Sequence, residues 1–226
     1  INKRSIQSNF KQIMDTNFAV TGGHLSKFGD SYYLIGGHKF TGRYNPMGGP
    51  SYVQAYTNQI RKFKYDFENN KVIDYVSTTD HLHLRRRDYN LVPQIFPNGK
   101  RGYMISSGVF QQGVDLPFLY PVNIYEDSYE PLTDFNQYLS NYHSAFVPIF
   151  DKKNNEMHTI FFGGISQYYY QNGELIKDDL VPFVKTMSRL TRYGDNSMQE
   201  YKLGSEMPAL IGSSSEFIIN ENIPLI

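Results

Sequence analysis

Two histidines, His81 and His83, stand two positions apart in the stretch Ser77–Arg87 (STTDHLHLRRR) and run into three consecutive arginines. In an extended chain the two imidazoles share a face, with Arg85 next on that side, so the pair could ligate a metal ion. Three or four ligands are needed and the spacing supplies no others, so no metal is expected. Arg85-Arg86-Arg87 could grip a carboxylate or phosphate through bidentate hydrogen bonds; a solvated charge run or an ion pair competes for the same residues. Tyrosine gives the second signal. Arg43, Tyr44 and Tyr52 fall in His38–Ala55, while Tyr168, Tyr169 and Tyr170 fall in Ser166–Pro182 beside Asp178 and Asp179. Tyrosine offers a large contact area at low entropy cost with a polar tip, which suits stacking on sugar rings or docking a protein. The competing reading has these rings packing over their neighbours to hold long loops down. His143 reads first as a hydrogen-bonded structural histidine. The candidate binding set is therefore Arg43, Tyr44, Tyr52, His81, His83, Arg87, His143, Tyr168, Tyr169 and Tyr170, and no residue is assigned as catalytic.

Several classes fall away on composition. The 226 residues contain no cysteine, which excludes disulfides, Cys-ligated zinc and thiol nucleophiles. There is no Gly-x-Ser-x-Gly elbow, P-loop or dinucleotide fingerprint, so no cofactor is expected. No apolar run approaches the ~18 residues of a membrane span. Net charge is zero, which argues against a nucleic-acid partner. The charge is unevenly placed: residues 1–103 carry 15 Lys+Arg against 7 Asp+Glu, and 104–226 carry 7 against 15. Such asymmetry marks either an oriented interaction surface or unrelated loops.

The elements that must position these residues are strands. Asn141–Gly164 (NYHSAFVPIF-DKKNNE-MHTIFFGG) is two short β-branched and aromatic runs joined by a polar turn, which predicts an antiparallel hairpin buried on both faces. Around it lies a repeat. The segments Phe10–Ile13, Val72–Tyr75, Phe135–Tyr138 and Met198–Tyr201 recur at offsets of 62, 63 and 63. In phase with them come apolar runs at Phe18–Val20, Leu91–Pro93 and Phe146–Pro148, glycine-closed runs at Tyr32–Gly37, Tyr103–Gly108 and Thr159–Gly164, and third runs at Ile60–Asp66, Val122–Asp127 and Ser188–Asp195. Each period of about 63 residues thus holds four strand candidates and no amphipathic helix. Four short strands per repeat predict a β-propeller blade; a β-sandwich with chance repetition is the alternative.

These columns resemble the kelch repeat, in which Gly-Gly closes the second strand as Gly36-Gly37 and Gly163-Gly164 do here. Tyr65-Asp66 and the Tyr142-His143-Ser144-Ala145 lead are similar to that family too. The chain departs from the pattern at Ser107-Gly108, in the missing strand-D tryptophan, and in blade length. The resemblance implies an all-β, kelch-like β-propeller with four-stranded antiparallel blades at 16–78, 79–139 and 140–203, and partial blades at 1–15 (strands C and D) and 204–226 (strand A, with Glu216–Asn220 as a candidate strand B). Residues 1–226 then form one domain, or a portion of one. Three blades and two halves make an interior portion of a longer propeller, or else a four-bladed ring closed by its terminal strands. Kelch-like galactose oxidase uses a tyrosine crosslinked to cysteine, which a cysteine-free chain cannot supply. The expected function is a non-catalytic module presenting its Tyr-rich B–C loops to a protein or glycan. The alternative is a mutarotase-like, sugar-active enzyme using Arg87, His81 and His143 at a channel mouth. Low charge and many Tyr and Asn suit a secreted or cell-surface protein, with a cytoplasmic scaffold as the alternative.

Overall fold

The computed structural model describes residues 6–43 and 51–220. The chain is all-β, and among the described residues its one helix is the 3-10 turn Ile6–Asn9. Contacts divide it into two compact units, Ile1–Arg85 and Arg86–Ile226.

The first unit holds β1 (Thr21–Phe28), β2 (Ser31–Gly42), β3 (Tyr52–Tyr56), β4 (Gln59–Asp66) and β5 (Lys71–Thr79). Four of them form an antiparallel meander in the order β1-β2-β4-β5, and β3 pairs with the far end of β2. Tyr33, Leu34, Ile35, Ile60 and Phe63 form its core. The run Phe18–Val20, expected as the first strand, precedes β1 instead. Its half-buried Phe18 ring lies edge-on to Phe63 (4.7 Å) and Tyr75 (5.9 Å), so packing of one aromatic rather than strand pairing accounts for Phe18.

The second unit holds two more meanders of the same form. β6 (Asn90–Ile95), β7 (Arg101–Ser106), β8 (Val122–Ile124) and β9 (Tyr129–Pro131) make one. β10 (Ala145–Asp151), β11 (Glu156–Phe162), β14 (Thr186–Arg192) and β15 (Met198–Glu206) make the other, with a separate ribbon of β12 (Tyr168–Gln171) and β13 (Glu174–Lys177) inserted between β11 and β14. Val92, Met104, Phe161 and Leu190 form a buried cluster drawn from both meanders, with Phe135, Phe146 and Met198 against it. Truncating the buried Met104 or Leu190 to alanine should cost roughly 2–5 kcal/mol.

The expected hairpin at Asn141–Gly164 is β10–β11, turning at Asp151–Glu156. It is not buried on both faces: β10 is an edge strand whose Pro148 and Ile149 are exposed, and along β11 burial alternates. The repeat also needs correction. Val72–Tyr75 and Met198–Tyr201 lie in β5 and β15, but Phe135–Tyr138 is a turn, the fourth strand of that sheet being β9, and Phe10–Ile13 lies in no strand. In the second unit the column marks a packing position: Phe135 and Met198 both press on the same cluster although only one is in a strand. The described part of 1–15 contains no strand, and none follows Glu206 among the described residues. Ser213 nevertheless bridges to Ser144, and Phe217 stacks on Phe162 at 6.1 Å, so this segment runs along the β10–β11 edge.

Two local devices recur. The glycine closures place two successive residues at positive φ: Gly36 (61°) and Gly37 (88°), Ser107 (52°) and Gly108 (94°), Gly163 (65°) and Gly164 (88°). The carbonyl of the first member takes a buried donor each time, from Arg61 (3.1 Å), Arg86 (2.8 Å) and Asn141 (2.6 Å). An Asp-x-x-Asn-Asn turn also recurs, at Asp66–Asn70 and Asp151–Asn155. The aspartate Oδ1 accepts backbone N–H groups two and three residues on, and the last asparagine sits at φ 53° or 54°. Its side chain then donates to a carbonyl 58 residues earlier: Asn70 to Gln12 and Asn155 to Pro97, each at 3.1 Å.

Candidate functional site

The described parts of both long connections that carry the tyrosines form ribbons rather than loops. In the first unit β2 continues five residues past Gly37 and pairs with β3, Gly42 opposite Tyr52. In the second unit Gln171-Asn172-Gly173-Glu174 turns β12 into β13, with Asn172 at φ 52° and Gly173 at φ 88°. Those are the two positive φ values of a type I′ hairpin, for which Asn-Gly is the preferred pair. The ribbon is tied at its base: Gln167 Nε2 donates to Asp179 at 2.6 Å, the Asp178 N–H to the Gln167 carbonyl at 2.8 Å, and the Tyr170 N–H to Thr186 Oγ1 at 3.0 Å. Asp179 is held below the usual carboxylate range by that amide and by Lys177.

Because strand residues alternate sides, Tyr168 and Tyr170 share one face of the ribbon and Tyr169 takes the other. All three are half-buried rather than fully solvent-facing. The Tyr168 ring meets Tyr138 edge-on at 5.0 Å, and Tyr170 lies under the Lys202 ammonium at 5.4 Å. Tyr138 stands on the Leu132–Ser140 turn. That turn is fixed from below by the buried Gln137, whose N–H donates to the Leu119 carbonyl at 2.6 Å and whose amide donates to Ser106 Oγ at 3.0 Å. The anchoring leaves Asn136 and Tyr138 exposed on its outer side.

A cleft of about 280 Å³ opens between this turn, the ribbon and β15, lined among others by Asn136, Tyr138, Tyr170, Leu175, Glu200 and Lys202. Met198, Glu200 and Lys202 reach it from one face of β15. Glu200 lies opposite Leu190 in the sheet and accepts the Leu139 N–H at 3.0 Å through Oε2. Its other oxygen, Oε1, is shut off from solvent and has no hydrogen-bond partner. This desolvation outweighs the backbone N–H groups of Leu139 and Tyr138 and pushes the carboxyl up to about 7. Sequence periodicity gave no hint of Glu200, and the Asn-Gly signal that identifies the ribbon is plain in the sequence but lay inside what reads as a loop.

The other candidates are not brought into this cleft. His81 and His83 lie on a turn, not an extended strand, because the Asp80 carboxylate accepts the N–H groups of Leu82 and His83 and its carbonyl accepts that of Leu84. The two imidazoles therefore do not form a His-x-His ligand pair, and His81 Nδ1 instead meets Asn58 Nδ2 at 3.0 Å. The three arginines have separate partners. Arg85 stacks on Tyr56 at 4.3 Å; Arg86 is buried, donating to the Ser107 and Tyr120 carbonyls; Arg87 pairs with Asp88 at 3.0 Å and covers Phe110. His143 sits at φ 55° with Nε2 against Ser214 Oγ at 3.1 Å, a structural placement. In the first unit Arg43 is exposed and its N–H donates to the Ser51 carbonyl, while Tyr52 packs edge-on to Phe40 at 5.3 Å. Tyr44 lies outside the described residues.

One cluster has metal-ligand composition. Asp151, Glu156 and His158 bring one ligand atom each within 4.8 Å of one another, and His158 Nδ1 is held by Thr191 Oγ1 at 2.9 Å. The Asp151 carboxylate is already engaged by Lys153 and Asn154 in the Asp-x-x-Asn-Asn turn, and Asp66 does the same work with no histidine nearby in its turn. No helix among the described residues is long and apolar enough to cross a membrane. Compared with known proteins, the chain matches no protein-family model, and no curated protein matches it in sequence.

Proposed function

We propose that this chain is part of a kelch-like β-propeller and serves as a non-catalytic binding module, secreted or at a cell surface, that presents its tyrosine-bearing ribbons to a glycan. The observation that carries the reading is the cleft in which Tyr138 and Tyr170 flank Asn136, Glu200 and Lys202. Aromatic faces beside a few polar groups suit a sugar ring, and the volume lies near the lower end of small-ligand pockets. A stable protein interface needs about 800 Å² on each side, which the cleft alone does not offer, so a protein partner would have to use the ribbon's outer face as well. The propeller assignment draws support from three four-stranded meanders and from the left-handed pair that closes each second run. The non-catalytic assignment draws support from His81, Arg87 and His143, each of which is engaged by a structural partner.

The test is a glycan array and a pull-down run with wild type and with Tyr168, Tyr169, Tyr170→Ala. The reading expects a specific glycan signal that the variant loses while its far-UV circular dichroism is retained. An unchanged signal in a folded variant would overturn it, as would a turnover on free sugars abolished by Arg87→Ala.

A further inference from the structure

Glu200 sits where three parts of the second unit meet: β15, the 135–139 turn and the cleft under the β12–β13 ribbon. Its Oε2 takes the N–H of Leu139, so the carboxyl is the direct polar tie between β15 and that turn. Its Oε1 is shut off from solvent and has no protein partner, which leaves a carboxyl proton there without an acceptor but costs a carboxylate more, because its charge is left unsolvated. The groups around it do not compensate a negative charge. Lys202, two positions along the same strand, is drawn over Tyr170 and towards the Leu203 carbonyl. Arg192, on the same face of the neighbouring β14, is held by Asn123 at 2.6 Å and Asn196 at 2.9 Å. From the turn and the ribbon the titratable side chains at the cleft are the phenols of Tyr138 and Tyr170. Glu200 makes no ion pair among the described residues, and burial is the leading cause of its upward shift, with no charged neighbour contributing.

We infer that Glu200 is a proton-operated clasp: protonated, it holds the 135–139 turn down on β15 and keeps the cleft narrow, and on losing its proton it draws in water, frees the turn and opens the cleft. The proton passes to bulk solvent, and no other group changes state. The carboxylate left behind needs donors for Oε1. Glu200 lines the cleft, so in the proposed open state water reaches Oε1 from there as the turn that carries Tyr138 and Leu139 lifts, which takes Tyr138 off Tyr168. The inference rests on the cleft being the ligand site, and it makes access to that site depend on pH across neutrality.

The experiment uses the whole chain. The Glu200 carboxyl ¹³C shift is titrated from pH 4 to 9, and exchange protection of the Tyr138 and Leu139 amides, corrected for intrinsic rates, is followed over the same range in wild type and Glu200→Gln. The expected results are a carboxyl midpoint near 7 and a fall in Leu139 protection of about ten-fold or more between pH 6 and 8 that the variant lacks. A midpoint in the ordinary carboxylate range overturns the inference with no variant needed; so does an equal loss of protection in Glu200→Gln. Glycan-array binding is read separately at pH 6 and 8. A pH-dependent clasp with no glycan bound at either pH sinks the binding reading alone, whereas binding without any change in protection sinks the clasp alone.

Discussion

Gly164→Ala should be among the most damaging single-methyl changes in the second unit. Gly164 is buried at φ +88°, and a Cβ built on it would stand 2.7 Å from both the Ser144 Cβ and the Tyr142 carbonyl oxygen. Neither neighbour is the far end of a flexible side chain. Tyr142 is bridged to Ile165 on both sides, and Ser144 accepts no displacement without breaking its bonds to Asn90 and Asn141. The left-handed backbone costs an alanine about 1–2 kcal/mol, and the overlap adds about 1–3 kcal/mol. At about 2–4 °C per kcal/mol for a domain of this size, the midpoint should fall by roughly 4–20 °C. Gly113→Ala is the matched control: φ there is +85° but nothing lies within 4 Å, so only the backbone cost applies. Gly204→Ala, with ordinary φ and open space, should be neutral or slightly stabilising. Urea and thermal unfolding of the three variants separate the two contributions. Equal midpoints for Gly164→Ala and Gly113→Ala would refute the close-approach argument, and a neutral Gly164→Ala would refute the role of the closure altogether.

Asn155→Gly keeps a residue that tolerates positive φ but removes the amide that reaches the Pro97 carbonyl, so it should cost about 0.5–1.5 kcal/mol, and Asn155→Ala more. Urea midpoints check the order, and an alanine variant as stable as the glycine one would contradict it. Glu200 gives the protein a pH signature. Its folded pKa lies above the unfolded value, so the native state binds more protons than the unfolded chain between the ordinary 4.5 and about 7. Stability from this group is therefore full below that window and lost as pH rises through it, by up to about 3 kcal/mol. Glu200→Gln should flatten that part of the stability profile, and an unchanged slope would show that another group carries it. Arg192→Lys should destabilise by about 1–3 kcal/mol, because an ammonium cannot reach Asn123 and Asn196 together while covering Phe96.

What the sequence revealed were the runs whose partners lie next to them. β6–β7 and β10–β11 are hairpins with apolar strands and turn residues between them, and Gly36-Gly37 and Gly163-Gly164 announced their left-handed backbone through residue type, as Ser107 did not. The shared column at Phe135 and Met198 was also readable, but its meaning was not: an apolar residue is required to cover Val92 and Leu190 whether it arrives on a strand or on a turn, so the period survives where the secondary structure does not. Spacing failed for His81 and His83 because one side chain, Asp80, caps the stretch into a turn. The candidate cleft was half legible. Tyrosines 168–170 stood out by type, while Tyr138 and Glu200 join them only through the packing of β15 against the 135–139 turn, which no local pattern encodes.

The most direct test of the account places a bound glycan on the surface by methyl and aromatic NMR, titrating the tightest-binding oligosaccharide from the array into the labelled protein. A glycan in the cleft should give saturable shifts of the Met198 and Leu175 methyls and of the Tyr138 and Tyr170 rings, with the buried Met157 methyl unmoved. Shifts centred instead on Arg87 and His143, with Met198 and Leu175 silent, would contradict it.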